Sequence, residues 1–190
     1  CLHRFKLLMR QYPIKNYWAL GTNTFRQANN SAEFIKAAQK VGIDIAVITG
    51  IQEAILVYAG VISALPVSDS SRLVIDVGGG STEVVVGKQH ERILTESLAV
   101  GSVAWRDKFF QTASFTRSRL LLQMERGAEE ATKLFHGVAP AVSRATWDQA
   151  YASSGTMKML ASICEEHGFG RRQISLEALN QLKEKMAEFV

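Results

Sequence analysis

The chain has 190 residues, of which 47% are hydrophobic and 21% charged, so it is long enough and apolar enough to bury a core. Its net charge is +4, but the charges are scattered rather than striped, so we expect no specific nucleic-acid partner. No apolar run has the length of a membrane span, and the two cysteines form no disulfide framework, which predicts a cytoplasmic protein.

Helix-like and strand-like patterns alternate over the first 65 residues. The predicted elements are, in chain order, a helix at 2–12, a strand at 17–22, a helix at 30–40, a strand at 43–48 and a helix at 50–61. Asn30 and Glu33 have the spacing of a capping box at the start of the second helix. This α-β-α-β-α order is typical of a parallel sheet with crossover helices, and it predicts an α/β fold.

A polar stretch that contains Pro66 follows and is the best candidate for a domain boundary. We therefore predict a first domain at 1–65 and a second domain, built from β-hairpins and helices, at 66–190. A helical pattern begins directly after Cys1, and a last one, behind a Ser175 cap, runs to Val190. We expect the chain to be a piece of a larger protein.

The second domain is predicted to start with antiparallel strands and to continue with helices and one more strand. In chain order these are strands at 72–77, 82–87 and 91–100, helices at 103–110 and 116–135, a strand at 147–152, and helices at 153–163 and from 176 onward. Two α/β halves of this kind indicate a cleft between domains.

The most informative segment is VIDVGGGSTEVVVG at 74–87, a glycine-rich turn between two β-branched strands. Glycine permits positive φ and lets a ligand approach the backbone closely. The successive amides of Gly78, Gly79, Gly80 and Ser81 are therefore candidates for an anion-binding nest. An ordinary hairpin turn is the alternative, and this segment alone does not decide between them.

Two carboxylates flank the turn: Asp76 at the end of one strand and Glu83 just beyond the glycines. A tight turn brings both to the same mouth of the hairpin, and carboxylate oxygens suit Mg²⁺, which takes one or two carboxylates together with substrate phosphate. The alternatives are that Asp76 caps the turn and that Glu83 is a solvent-facing strand residue.

Three further candidates follow predicted strand ends, where α/β sheets bind ligands. Glu53 is placed to act as a general base on water, or simply to complement the dipole of its helix. Arg26 suits a phosphate, although an exposed loop arginine is the commoner case. Ser154, Gly155 and Thr156 are suited either to binding another phosphate at a helix start or to capping that helix.

The order of these motifs along the chain is more specific than any one of them. It resembles the exopolyphosphatase/guanosine pentaphosphate phosphohydrolase (Ppx/GppA) family, whose members have the actin-like ATPase (ribonuclease H-like) fold. The motifs that carry the resemblance are GTNTFRQA at 21–28, ITGIQEA at 48–54, DVGGGSTE at 76–83, SLAVG at 97–101 and SGT at 154–156.

The resemblance implies a Mg²⁺-dependent hydrolase that removes terminal phosphate from inorganic polyphosphate or pppGpp, and a homodimer for the full-length protein. It implies that Glu53 activates the attacking water and that Asp76 and Glu83 are associated with the metal. The phosphate-binding residues that it implies are Arg26, Gly78, Gly79, Gly80, Ser81, Ser154, Gly155 and Thr156.

This chain departs from the family pattern in three ways. The amino-terminal Asp-Xaa-Gly-Ser-Asn-Ser phosphate loop is absent, so we expect a partial first domain with most of the second, and no activity from the 190 residues alone. Gln52 stands where many relatives carry an acid, and Ser153 where glycine is frequent. Two alternatives stay open: a kinase or ATPase of the same fold, and a non-catalytic sensor of phosphate or nucleotides.

Overall fold

A computed structural model of the chain describes residues 1–111, 116–171, 173–186 and 188. These residues group into two compact units, Cys1–Glu53 and Ala54–Val190. The change from one unit to the next falls within a helix, and the domain boundary at residues 65–66 stays a prediction. None of the helices in the described ranges is long and apolar enough to cross a membrane.

The first unit contains short strands and helices in the predicted alternation. Its elements are α1 (Leu2–Met9), β1 (Ala19–Gly21), α2 (Asn23–Gln27), α3 (Ser31–Lys40), β2 (Ile45–Val47) and the start of α4 (Gly50–Ser63). Strands β1 and β2 pair in parallel, as the crossover pattern predicted, with Gly21 opposite Val47. The helices that follow the two strands therefore begin at the same edge of this sheet.

The second unit is built on a four-stranded sheet. Its elements are the rest of α4, β3 (Ser71–Val77), β4 (Thr82–Lys88), β5 (Glu91–Leu98), α5 (Ser102–Phe109), α6 (Arg117–His136), α7 (Ala139–Ala145), β6 (Gln149–Ser153), α8 (Gly155–Glu166) and α9 (Leu176–Met186). The strand order is β5-β4-β3-β6. Strands β3, β4 and β5 form an antiparallel meander, as predicted, and β6 adds to β3 in parallel.

Helices cover both faces of this sheet. On one face Tyr58 and its α4 neighbours pack on Val74 and Val85. On the other face Leu73 and Val86 belong to a cluster that includes side chains from the end of α6 and from α7. Burial on both sides explains why every residue of β4 except Lys88 is buried, with three valines, Val84 to Val86, at its centre.

Two helices were not predicted. Helix α2 has only 5 residues, too few for a helical apolar pattern to be visible. Helix α7 carries Pro140 in its first turn, where proline fits because the first amides of a helix need no intrahelical partner. The capping box was wrong in its contact: Asn30 is the N-cap of α3, but its side chain makes no capping hydrogen bond.

Candidate active site

Arg26 and Glu53 form an ion pair beyond the ends of two neighbouring parallel strands. Helix α2 follows β1 and helix α4 follows β2, which brings these two side chains to the same edge of the sheet. Both terminal nitrogens of Arg26, Nη1 and Nη2, donate to Glu53 Oε2 at 3.0 Å, and Nη1 also donates to the Ile48 carbonyl at 2.8 Å. Arg26 is thus a half-buried helix residue, and its alternative as an exposed loop arginine is wrong.

The two oxygens of the Glu53 carboxylate have different surroundings. Oε2 is held by the Arg26 guanidinium, whereas Oε1 accepts no hydrogen bond from the described part of the chain. The two side chains are only 19% and 22% exposed, so water screens this pair less than it screens a surface ion pair. The geometry is that of an oriented carboxylate with one oxygen left to accept a hydrogen bond from a water molecule.

A reciprocal capping box fixes the start of α4, where Glu53 lies. The Thr49 amide donates to Gln52 Oε1 at 2.9 Å, and the Gln52 amide donates to Thr49 Oγ1 at 3.1 Å. Gln52, a departure from the family pattern, thus has a structural task that a glutamate also performs. Its side chain satisfies the Thr49 amide, the Thr49 hydroxyl satisfies the Gln52 amide, and Glu53 is the next residue of the same helix.

In the second unit, Asp76 and Glu83 lie directly opposite each other in the β3–β4 register. Their side chains leave the same face of the sheet, because residues paired across antiparallel strands share a face. In the same row, Ser97 of β5 is opposite Glu83, and Ser153 of β6 is opposite Asp76. We call Ser153, Asp76, Glu83 and Ser97 the polar row; it crosses all four strands at the glycine end of the hairpin.

Glu83 is buried, with 2% of its surface exposed, so its alternative as a solvent-facing strand residue is wrong. Ser97 Oγ donates to Glu83 Oε1 at 2.9 Å. Burying a carboxylate costs free energy unless it is hydrogen-bonded or paired with a charge. Buried carboxylates are therefore common at sites that bind a ligand or a metal ion.

The Gly78–Ser81 turn is closed by one hydrogen bond, from the Gly78 amide to the Ser81 carbonyl at 2.9 Å. Backbone amides at the start of α5 donate hydrogen bonds to two carbonyl oxygens of this turn. The Ser102 amide donates to the Gly78 oxygen, and the amides of Val103 and Ala104 donate to the Gly79 oxygen, each at 2.9 Å. In a trans peptide the C=O and the next N–H point in opposite directions, so the amides of Gly79 and Gly80 face away from α5.

Three successive amides of this turn, those of Gly79, Gly80 and Ser81, donate no hydrogen bond within the described ranges. Successive free amides in a turn are the donors that an anion-binding nest uses. The positive-φ glycines in those ranges are Gly42, Gly168 and Gly170, so the turn does not use the left-handed backbone that glycine permits. The site requires glycine because another backbone segment packs very close to the turn.

That close approach is clearest at Gly101, just before α5. A Cβ atom there would lie 2.4 Å from the Gly80 nitrogen and 2.5 Å from the Gly79 carbonyl carbon. The buried Thr82 hydroxyl holds the preceding residue by donating to the Val100 oxygen at 2.6 Å. Gly101 therefore lets the start of α5 reach the turn.

The Ser154–Thr156 segment begins α8, next to the end of β6. The Ser154 hydroxyl accepts from the Met157 amide at 3.1 Å, so the capping alternative is confirmed for this residue. The amides of Gly155 and Thr156 donate no hydrogen bond to any described residue and are open to a ligand. Capping and phosphate binding are thus compatible here.

A comparison with known proteins decides the family. A sequence profile described as the Ppx/GppA phosphatase family matches residues 1–190 of this chain. The chain belongs to the Ppx/GppA phosphatase family. The resemblance drawn from the order of the motifs is thereby confirmed, together with the actin-like ATPase fold that it implied.

One curated relative, from Haemophilus influenzae and named "Putative exopolyphosphatase", is 31% identical to this chain over 186 residues. The match takes in 97% of this chain but 56% of that protein. The chain therefore spans little more than half the length of this Ppx/GppA relative.

Two solved structures extend the comparison. An exopolyphosphatase from Cytophaga hutchinsonii superposes with a TM-score of 0.78 at 25% identity, over 98% of this chain and 62% of that one. The Aquifex aeolicus PPX-GPPA enzyme gives a TM-score of 0.63 at 27% identity, over 87% and 52% of the respective chains. The described fold is thus part of the Ppx/GppA fold.

The polar row fits the Mg²⁺ that the Ppx/GppA resemblance implies. It offers carboxylate and hydroxyl oxygens, the hard ligands this ion prefers, next to a turn that suits phosphate. Among the described residues there is no group of three or more His, Cys, Asp or Glu side chains arranged around a metal. Mg²⁺ does not need such a group, because it commonly keeps water and substrate oxygens in its shell.

Sequence reasoning assigned no task to Ser97, Gly101 or Ser102. The first two lie in SLAVG, a motif that contributed to the resemblance without being given a role. Ser102 follows it directly. The contact between Ser97 and Glu83 depends on the β4–β5 register, which the sequence pattern does not specify.

Proposed function

We propose that the protein carrying this chain is a phosphohydrolase that releases terminal phosphate from inorganic polyphosphate, pppGpp or both by attack of water. The observation that carries the proposal is the run of free amides at Gly79, Gly80 and Ser81 beside two carboxylates. The family comparison supports the reaction class, since this is a phosphatase family. The homodimer and the cytoplasmic location remain proposals as well.

Glu53 is assigned the role of general base. Its Oε1 accepts no hydrogen bond from the described residues and can take one from water, while Arg26 fixes the orientation of the carboxylate through Oε2. A base held in this way withdraws a proton from water as the oxygen attacks phosphorus. In this assignment the role of Arg26 is to hold the Glu53 carboxylate in place. Its direct contact with phosphate stays a prediction.

The Gly78–Ser81 turn is assigned to the terminal phosphoryl group, whose charge the amides of Gly79, Gly80 and Ser81 would stabilise; the Gly78 amide, predicted to join them, closes the turn instead. The start of α8, with the amides of Gly155 and Thr156, is assigned to a neighbouring phosphate. Asp76 and Glu83 would hold Mg²⁺. When bound, this ion offsets the negative charge of the phosphates.

The test is phosphate release by the natural protein that carries this sequence, measured on long-chain polyphosphate and separately on pppGpp, with Mg²⁺ and with EDTA. We expect Mg²⁺-dependent release from at least one of them. Release from neither substrate would overturn the proposal. If the substrates then bind without turnover, the sensor alternative replaces it; if phosphate from ATP passes to an acceptor, the kinase alternative does.

A further inference from the structure

We propose that Ser102 is a positioning residue whose hydroxyl ties the Gly78–Ser81 turn to the start of α8 and keeps the two sets of phosphate-binding amides in register. This inference rests on the proposed function only in taking these two segments as the phosphate site. The ligand that it concerns is one with two linked phosphates, one for each segment.

The contacts of Ser102 point in two directions. Its hydroxyl oxygen is 3.2 Å from the Gly78 carbonyl oxygen, to which it donates, and 3.1 Å from Thr156 Oγ1. A serine hydroxyl has a single proton, and Ser102 uses it on Gly78. Thr156 must then be the donor in the second hydrogen bond, so the chain of hydroxyls runs from Thr156 through Ser102 to the turn.

The hydroxyl is not needed to satisfy the Gly78 carbonyl. The Ser102 amide already donates to that oxygen at 2.9 Å, and this contact survives any side-chain substitution. What the hydroxyl adds is the connection to α8. Across the described ranges, no other hydrogen bond or ion pair joins α5 to α8.

Strand pairing does not extend to the turn and the start of α8, so a side-chain hydrogen bond connects them. The β3–β6 ladder ends at the pair Asp76 and Ser153, and beyond it the turn and α8 continue without a shared strand. The free amides of both segments lie beyond that last pair. The ladder sets where the two segments begin, and the Thr156–Ser102–Gly78 chain links them beyond it, which matters for a ligand whose phosphates are joined at a fixed distance.

The experiment is a double-mutant cycle on binding, carried out with the natural protein that contains this sequence. Calorimetry measures the affinity for methylenediphosphonate, which is not hydrolysed, and for orthophosphate, both with Mg²⁺. The variants are Ser102→Ala, Thr156→Val and their combination. Ser102→Thr keeps the hydroxyl, and Ser162→Ala, an exposed serine on α8, is the matched control.

We expect Ser102→Ala and Thr156→Val each to weaken diphosphonate binding about fivefold to tenfold, the effect of one neutral hydrogen bond. The combined variant should be no weaker than either, because both remove the same link. Orthophosphate affinity should change less than twofold, and Ser102→Thr should restore binding. A general loss of structure would instead affect both ligands and lower the unfolding temperature.

The outcomes separate this inference from the proposed function. If the unaltered protein binds neither ligand, the phosphate site fails and both proposals are overturned. If it binds diphosphonate and the single variants bind it equally well, or if their effects simply add, only the role of Ser102 is overturned. Should Ser102→Ala fail to fold, Thr156→Val, which breaks the same link from α8, gives the same decision.

Discussion

Ser154 has a backbone conformation that is rare for a residue with a side chain. Its φ is 103° and its ψ is 165°, a region populated almost only by glycine. Such a conformation costs of order 1–3 kcal/mol and persists where surrounding contacts impose it. Ser154 lies between the end of β6 and the start of α8, which it caps, so the strain lies in a segment to which phosphate binding is assigned.

Replacing Ser154 by glycine should therefore stabilise the protein. Relief of the strained φ outweighs the loss of the capping hydroxyl, which costs only a few tenths of a kcal/mol when glycine replaces serine. We expect the free energy of unfolding to rise by about 1 kcal/mol, measured by urea denaturation. Ser154→Ala keeps the strain and loses the cap, so it should be destabilising by about 1 kcal/mol; an equal effect of both variants would contradict this account.

Tyr58 gives the fold a dependence on alkaline pH. Burial under the sheet raises the pKa of its phenol, an effect that the nearby Arg72 and Arg92 partly oppose. Between the unfolded pKa, near 10, and the higher folded one, the unfolded chain binds fewer protons than the folded chain. Tyr58 therefore contributes stability below that window, and the contribution is lost as pH rises through it.

Tyr58→Phe should separate these effects. At pH 8 the variant lacks the hydrogen bond from the Tyr58 hydroxyl to the Gln89 carbonyl, 3.0 Å long, and should be about 1 kcal/mol less stable. Above pH 10 the unaltered protein loses stability that the variant does not, so their unfolding free energies should converge. Denaturation curves at both pH values check this, and a constant difference would show that Tyr58 does not titrate on unfolding.

At the scale of elements, the hairpin was predictable and its use of glycine was not. Two β-branched runs around GGGS indicate antiparallel strands whatever surrounds them, and the structure confirms β3 and β4. Glycine is required at position 101 because the start of α5, which follows β5, packs directly against the backbone of the Gly78–Ser81 turn. Contacts between segments far apart in the sequence, such as Ser97 to Glu83, leave no local periodicity to read.

Gly101→Ala should separate α5 from the turn. Its Cβ would meet backbone atoms of Gly79 and Gly80, which cannot move aside as a flexible side chain does. We expect a loss of about 2 kcal/mol or more in the free energy of unfolding, together with weaker diphosphonate binding. Gly60→Ala is the matched control, because nothing lies within 4 Å of that added Cβ and alanine favours the interior of α4.

The control should be stabilised by about 0.5–1 kcal/mol. If Gly101→Ala is as stable as the unaltered protein and binds as well, the close packing of α5 on the turn does not hold in solution. The comparison of the two variants also tests whether the last residue of the SLAVG motif must be glycine for steric reasons.

At the scale of the whole molecule, the order of motifs was more informative than any single residue. Taken alone, Glu53 is better explained by the helix dipole than by catalysis, and Glu83 taken alone by a solvent-facing strand position. Five motifs in order identified the Ppx/GppA family, which the match over residues 1–190 confirms. Polyphosphate and pppGpp carry the same terminal phosphoanhydride, which is why the proposed function names both.

The central claim is that Glu53 withdraws a proton from the attacking water. Glu53→Gln tests it most directly, since the amide oxygen can still accept from Arg26 but the side chain cannot take a proton. With the natural protein that carries this sequence, we expect Mg²⁺-dependent phosphate release to fall about 10²- to 10⁴-fold while diphosphonate binding changes little. Glu33→Gln, an exposed acid on α3, should leave the rate unchanged. A rate within about threefold of the unaltered protein for Glu53→Gln would show that another group is the base.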